Sequence, residues 1–234
     1  MKQLPVLFLC FSLFFSCAET TIVKFSETNS LYENNAVVEI NIPKAEGNSV
    51  TSKKINSVIE NHIANMLVFL EEPSDTLQLN YAIKSFDTEY KSFKEGFGEG
   101  NMVWDASFDG EVTYQSSEII SVALYSYLNS GGAHGNSNVT FLNFNSAGDF
   151  LGFDDLFQDK KGLTTLAKTH FEKEIDGSEI NYFFGEAFHL PANIGFSDEG
   201  VIFFYNVYEI ASYADGITEF TIPFLEIDNY LKLF

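Results

Sequence analysis

The spacing of apolar residues changes along the chain and predicts where helices and strands lie. Over residues 36–42 apolar and polar positions alternate, which is typical of a strand. After a helix-capping segment at 49–52, apolar residues recur at three- and four-residue steps up to residue 67, as on one face of a helix. Similar spacing over 77–93 indicates a second helix. The first part of the chain is therefore predicted to be a strand followed by two helices.

Beyond residue 101 the period changes to two, which indicates successive strands. They are predicted at 102–108, 111–115, 119–128 and 139–144, with Asp109-Gly110 as a hairpin turn. A third helix is predicted at 162–175, and further strands around 187–190, 196, 201–205 and 219–223. This order predicts an α+β fold, with an antiparallel sheet meander, helices packed on one face and two sequential α/β subdomains.

The first residues predict export from the cytoplasm. A cationic start at Lys2 and an apolar run ending before Ser16 indicate a signal peptide over residues 1–16, which is too short for a membrane span. Residues 13–17 resemble a bacterial lipobox, which makes Cys17 the candidate lipidation site. Ordinary cleavage after Ala18 is the alternative, and it would give a secreted soluble protein. The polar, irregular residues 17–35 are predicted to be a lipid-anchored tether.

Charge and cysteine content narrow the possible partners. The chain has 33 acidic residues against 13 basic ones, and every basic residue is a lysine. Without residues 1–16 there remain 12 lysines against 33 acidic residues, a formal charge of −21. Such a chain is a poor partner for nucleic acid, repels anionic lipid headgroups unless an acyl chain holds it, and attracts basic proteins. Cys17 is the only cysteine left after processing, so no intrachain disulfide is possible.

Three segments together resemble a known family. They are the Tyr-x-Tyr and Gly-Gly-Ala-His-Gly motifs within 125–135, the segment 144–157, and the aromatic segment 196–223. In this order they resemble the extracytoplasmic domain of RsiV-type lysozyme-responsive anti-sigma factors and the non-catalytic N-terminal domain of PdaC-type peptidoglycan deacetylases. The resemblance implies a PdaC-type subdomain at 36–138 and an RsiV-type subdomain at 139–234.

The resemblance also implies a protein without catalytic activity of its own. Deacetylation in PdaC-type proteins belongs to a separate metal-dependent domain, which needs paired aspartates and two histidines around one metal. The four histidines here lack that spacing, and Leu156 stands where the aspartate motif has glycine. We therefore expect no cofactor and no metal site. The alternative is an envelope glycan-processing enzyme or accessory protein, with His134 and nearby carboxylates as acid and base.

Four residues are candidate ligand-binding positions. His134 lies in a glycine-rich segment, where its ring could face a ligand or could pin the turn through a hydrogen bond to the backbone. Tyr205, Tyr208 and Tyr213 could form an aromatic surface for sugars or a protein, or could pack in the core with their hydroxyls at its rim.

The sequence thus predicts a non-enzymatic binding lipoprotein of the bacterial cell envelope. It would be anchored to a membrane only through its lipid and would face the periplasm or the exterior. The expected ligand is a cationic protein such as lysozyme, or a peptidoglycan fragment.

Overall fold

A computed structural model describes residues 22–68, 70, 72–97, 102–132 and 134–232 of the chain. The predicted signal peptide and Cys17 lie outside the described residues. The first part of the chain forms two strands, two helices and three further strands, which are β1 (Phe25–Glu33), β2 (Val37–Ala45), α1 (Val50–Leu67), α2 (Leu79–Phe97), β3 (Asp105–Gln115), β4 (Ile119–Asn129) and β5 (Asn136–Asn145).

The prediction of an irregular tether is wrong for residues 25–33, which form strand β1. This strand pairs with β2 in an antiparallel hairpin, and the turn is held because Asp87 accepts hydrogen bonds from the backbone N–H groups of Asn35 (2.7 Å) and Ala36 (2.9 Å). Because β1 lies at the edge of the sheet and exposes most of its side chains, it lacks the apolar alternation that identifies a half-buried strand.

The five strands form one sheet in the order β1-β2-β3-β4-β5. The prediction of a purely antiparallel meander needs one correction, because β2 and β3 run parallel. The helices α1 and α2 lie between these two strands and return the chain to the end of the sheet where β2 began.

The predicted hairpin turn at Asp109-Gly110 is wrong, because both residues lie inside the continuous strand β3. The glycine serves close packing instead. A Cβ at Gly110 would lie 2.9 Å from Cδ of Pro43 on the neighbouring strand. Asp109 accepts a hydrogen bond of 3.1 Å from the side chain of Asn41, which lies on β2 like Pro43.

Helices α1 and α2 cover one face of the sheet, as predicted. The helix α1 begins at the Ser49 cap, whose Oγ accepts a hydrogen bond from the backbone N–H of Ser52 at 3.0 Å. Its stripe of Ile55, Ile59 and Ile63 is fully buried against the sheet. Burial of this aliphatic stripe holds the helix pair in place. None of the helices in the described part of the chain is long and apolar enough to cross a membrane.

The second part of the chain forms a smaller sheet with its own core. Its elements are α3 (Phe153–Leu156), α4 (Lys160–Glu174), β6 (Asn193–Ser197), β7 (Gly200–Tyr205), β8 (Thr218–Pro223) and α5 (Phe224–Ile227). The sheet β6-β7-β8 is antiparallel, and its core is aromatic, with Phe203 stacked on Phe220 at 5.1 Å between ring centroids. Two subdomains in sequence confirm the predicted α+β class.

The predicted strand at 187–190 is wrong, since these residues form no regular structure. The carbonyl of His189 accepts a hydrogen bond from the hydroxyl of Tyr205 rather than from a neighbouring strand.

The two subdomains meet along strand β5. The Asn193 side chain accepts a hydrogen bond from Phe141 N and donates one to Val139 O, both at 2.8 Å. The Asn206 side chain accepts one from Val139 N (2.8 Å) and donates one to Val139 O (3.0 Å). These two side-chain amides satisfy backbone hydrogen-bonding groups along the outer edge of β5. The predicted subdomain boundary at 138/139 therefore falls inside a strand, and the change of sheet comes after Asn145.

Candidate functional site

The outer face of the large sheet is the face turned away from α1 and α2. The second subdomain packs on one part of it, which we call the covered half. The remaining part, the uncovered half, forms the floor of a cleft. The cleft has a volume of about 280 Å³. Its floor comes from outward-facing side chains of three strands, which are Ser107 and Asp109 on β3, Tyr125 and Tyr127 on β4, and Ser137 and Val139 on β5. Its wall comes from Asn206, Val207 and Ile217. Strand register places Tyr125 opposite Asp109 and Tyr127 opposite Ser107, so tyrosines and polar side chains alternate across the floor.

Carboxylates surround Tyr125. Its hydroxyl donates a hydrogen bond of 3.1 Å to Glu111. Burial raises the pKa of the Tyr125 hydroxyl, and the hydrogen bond to Glu111 and the charges of Glu111 and Glu219 raise that pKa further. Asp109 lies beside it, and no lysine occurs among the described residues that line the cleft. The floor is therefore negative and aromatic.

Three of the predicted site residues meet as a stack of rings at the border of this cleft. The His134 ring lies 4.7 Å from the Tyr213 ring with an interplanar angle of 25°, and Tyr213 lies 5.4 Å from Tyr208. All three side chains are exposed. We call His134, Tyr208 and Tyr213 the ring stack. It borders the cleft because Gly135 contacts the Tyr127 ring, and because Tyr208 follows the wall residue Val207.

The glycine-rich loop positions His134. A Cβ at Gly135 would lie 2.2 Å from the Tyr127 ring, so only glycine allows the loop to pass this close. His134 Nδ1 lies 2.8 Å from the carbonyl oxygen of Gly135. Because a carbonyl only accepts, Nδ1 donates and Nε2 is left for the solvent side. The hydrogen bond supports the interpretation that His134 pins the turn, while its ring stacks on Tyr213; ligand binding by His134 stays a prediction.

The backbone around Tyr208 is strained. Tyr208 has a φ of +66°, in the left-handed region, which costs a non-glycine residue about 1 kcal/mol. Glu209 holds this turn, because its carboxylate accepts a hydrogen bond of 2.9 Å from Asn206 N. Burial raises the pKa of Glu209, and the hydrogen bonds from the backbone of Asn206 and Ala192 and the charge of His189 oppose that shift only in part. The surrounding turn therefore maintains a strained backbone that exposes the Tyr208 ring.

Tyr205 lies apart from the ring stack. Its side chain is fully buried beside Phe171 and Phe183, and its hydroxyl donates to the carbonyl of His189. Burial, followed by the charge of Glu209, raises the pKa of the Tyr205 hydroxyl. Tyr205 thus supports the second core, and the exposed surface belongs to the other three residues.

Sequence reasoning missed the carboxylates of the cleft. Asp109 was assigned to a turn, and Glu111 and Glu219 were not singled out. The alternation of β4 could have identified Tyr125 and Tyr127 as outward-facing residues, since the apolar Leu124 and Leu128 take the alternate positions of the strand. In the described part of the chain, no three His, Cys, Asp or Glu side chains lie close enough together to hold a metal ion.

Comparison with protein families divides the chain in two. Residues 27–137 match the family model described as Deacetylase PdaC, and residues 154–224 match the model described as Protein of unknown function (DUF3298). The predicted resemblance to PdaC-type domains is therefore confirmed. A search of curated proteins found no match.

Two crystal structures of DUF3298 family proteins share the fold. One, from Bacteroides fragilis NCTC 9343, has a TM-score of 0.72 and 18% identity, covering 91% of this chain and 94% of its own. The other, from Pseudomonas aeruginosa PAO1, has a TM-score of 0.63 and 16% identity, covering 91% and 96%. At such low identity the likeness establishes the fold alone.

Proposed function

We propose that this protein is a non-enzymatic binding protein of the bacterial cell envelope that captures a strongly basic protein, with a lysozyme-like enzyme as the trial ligand. The observation that carries the proposal is the ring stack beside a cleft that is lined by two tyrosines and Asp109, with Glu111 and Glu219 near Tyr125. The match to a family named for a deacetylase and the resemblance to lysozyme-responsive anti-sigma factors support an envelope role.

The chemistry of the cleft suits lysine and arginine side chains. Asp109, Glu111 and Glu219 supply negative charge, while the faces of Tyr125 and Tyr127 attract cations. The ring stack supplies exposed aromatic area of the kind that dominates interface energy. A formal charge of −21 after processing would draw a basic partner from a distance and accelerate encounter.

His134 lacks the partners that the enzymatic alternative needs. Acid or base catalysis requires a carboxylate or nucleophile within hydrogen-bond reach of the catalytic group. Among the described residues, the hydrogen-bond partner of the His134 ring is a backbone carbonyl, and its stacking partner is Tyr213. This arrangement favours recognition over proton transfer.

A peptidoglycan fragment is the second candidate ligand. The hydroxyl groups of Ser107 and Ser137 line the cleft beside the tyrosine rings. Such a combination of polar groups and aromatic faces also suits sugar rings.

We further propose that Cys17 carries the lipid anchor. Cys17→Ser should then move the protein to the soluble fraction and abolish incorporation of labelled fatty acid. An N-terminus at Glu19, with membrane partitioning unchanged by the substitution, would indicate cleavage after Ala18 instead.

Surface plasmon resonance with hen-type lysozyme tests the proposed function. Between 0.1 M and 1 M salt the Debye length falls from about 10 Å to about 3 Å, so association should slow strongly while dissociation changes less. Tyr213→Ser should weaken binding about tenfold or more. Tyr81→Ser is the matched control, because Tyr81 is an exposed tyrosine on α2, across the sheet from the cleft.

Each arm has an outcome that would contradict it. Absence of binding at low salt would remove lysozyme as the ligand. An equal loss of affinity for lysozyme in Tyr213→Ser and Tyr81→Ser would remove the ring stack as the binding site. Binding of soluble peptidoglycan fragments that depends on Tyr213 while lysozyme fails to bind would select the second candidate.

A further inference from the structure

A second surface, at the opposite end of the large sheet, combines exposed apolar side chains with lysines. It comprises Ile22, Lys24, Val50, Lys53, Lys54 and Phe150, which we call the basal patch. Ile22 is 73% exposed, Val50 71% and Phe150 50%. The six residues line two adjoining hollows, which meet at the first turn of α1. Isolated exposed apolar residues are common, but three in one lysine-bearing surface call for an explanation.

Rigid elements present the apolar side chains of the basal patch. Gly148 lies so close to α1 that a Cβ there would be 2.7 Å from the carbonyl oxygen of Thr51. Lys54 and Asp149 form an ion pair between the same two elements. Gly148 and Asp149 lie in a hairpin whose turn follows β5 and leads back to Phe150, which bridges to Phe144. This hairpin, and with it Phe150, is therefore fixed against the start of α1.

The start of the described chain is fixed in the same surface. The carbonyl of Lys24 accepts a hydrogen bond of 2.7 Å from Glu46 N, and the carbonyl of Val23 accepts one of 2.9 Å from Gln115. Ile22 is therefore placed by the sheet itself, and the segment that carries Cys17 joins the domain at the basal patch.

The charge of the basal patch is opposite to that of the rest of the protein. Three lysines face two carboxylates, Glu46 and Asp149, in a chain where acidic residues otherwise dominate. The first turn of α1 contains no acidic residue. Lysines there are disfavoured by the helix dipole, so helix stability does not explain Lys53.

We propose that the basal patch rests on an anionic phospholipid surface. Exposed apolar side chains with adjacent lysines are the composition of surfaces that enter the headgroup region of a bilayer. The inference rests on the proposed lipid anchor, because Cys17 lies five residues before Ile22. Five extended residues span at most about 18 Å, which keeps this end of the domain at the bilayer.

This orientation turns the cleft away from the membrane. The hairpin at the basal patch follows Asn145, whereas the cleft contains Asn138 at the other end of β5. Seven residues of strand separate them by about 24 Å. A basic protein could therefore reach the cleft from the solvent without displacing the basal patch from the lipid.

Fluorescence quenching in vesicles tests the proposal. The chain from Cys17 onward retains every described residue, and its single thiol can be coupled to maleimide-bearing lipid in phosphatidylglycerol vesicles with brominated acyl chains. Phe150→Trp should be quenched about twofold more than Leu225→Trp, whose site is 96% exposed in the second subdomain. The native Trp104 is buried and provides the same background in both variants.

Charge variants extend the test. Lys24→Gln with Lys53→Gln should reduce the quenching of Phe150→Trp, whereas Lys168→Gln with Lys173→Gln on α4 should leave it unchanged. Equal quenching of Phe150→Trp and Leu225→Trp would overturn the proposal, as would quenching that is unaffected by the loss of Lys24 and Lys53.

The result is independent of ligand binding and of natural lipidation. The coupling is chemical, so a chain that is not lipidated in cells gives the same measurement. Tyr213→Ser should retain the quenching of Phe150→Trp while losing lysozyme. Failure of the basal patch is therefore distinguishable from failure of the proposed ligand or anchor.

Discussion

The outer face of the large sheet is used in two different ways within a few residues. In the covered half, Ala123 faces Phe141 in the register of β4 and β5, and both are buried under the second subdomain. The next pair on this face, two residues further along β4, places exposed Tyr125 opposite Val139 at the cleft. The strands and the face are the same, and only the side chains change. That change marks where the contact with the second subdomain ends and the exposed cleft begins.

Different physical requirements explain the two halves. In the covered half, two buried polar side chains bond to the second subdomain, with Ser121 Oγ accepting from Phe196 N at 3.1 Å and Asn143 Nδ2 donating to Ile194 O at 2.7 Å. On β3, Asp109 and Glu111 are exposed, and covering them without partners would be costly. The second subdomain therefore stops where the carboxylates begin.

The largest expected effect is a difference in unfolding free energy between substitutions in the covered and uncovered halves of the outer face. Phe141→Ala removes a buried ring and should lower the free energy of unfolding by about 3 kcal/mol. Tyr125→Ala should lower it by less than about 1 kcal/mol, since the ring is exposed. Urea unfolding of both variants measures the difference. Similar losses in the two variants would contradict the division of the face.

Close packing in the covered half gives the next effect. A Cβ at Gly195 would lie 2.2 Å from the Phe141 ring, so Gly195→Ala should cost about 2 kcal/mol through overpacking. Gly96→Ala is the control, because nothing lies within 4 Å of that Cβ in α2. It should leave thermal stability unchanged or slightly raise it. A tolerated Gly195→Ala would mean that β6 packs less closely on β5 than described.

Sequence reasoning predicted the elements better than their arrangement. The steps of three and four residues identified α1, because Ile55, Ile59 and Ile63 lie on its buried face. The edge strand β1 was missed because exposed strands need no apolar alternation. Asp109-Gly110 was misread because the reason for Gly110 is Pro43 on a strand distant in sequence.

The candidate site followed the same pattern. The motifs singled out His134, Tyr208 and Tyr213, but two distant segments had to meet before their stacking was visible. The neighbouring Tyr205 has the same residue type and a similar context, yet it points into the core. Alternation along a strand shows that two residues differ in face, but which face is buried depends on the tertiary packing.

The side-chain amide of Asn193, which joins the second subdomain to β5, gives a smaller effect on stability. Asn193→Ala leaves Phe141 N without its side-chain partner and removes one of the two amide donors to Val139 O, so it should cost about 1 to 2 kcal/mol. Asn41→Ala on the uncovered half removes only solvent-accessible hydrogen bonds and should cost less than about 0.5 kcal/mol. Equal midpoints of urea unfolding for the two variants would show that the edge of β5 does not depend on Asn193.

The smallest effect concerns Glu209, which holds the turn between the covered half and the ring stack. Burial raises its pKa in the folded state above the ordinary value of 4.5. Its stabilising contribution is therefore complete below about 4.5 and is lost as the pH rises through the higher folded-state pKa. Glu209→Gln keeps an acceptor for Asn206 N but cannot ionise. The variant should match the wild type at low pH and exceed its stability at neutral pH, by urea unfolding across a pH series. Glu199→Gln, at an exposed turn, is the control for the loss of one negative charge. A Glu209→Gln difference that stays constant with pH would mean that the carboxylate is not buried, and that the turn carrying Tyr208 is held by its backbone alone.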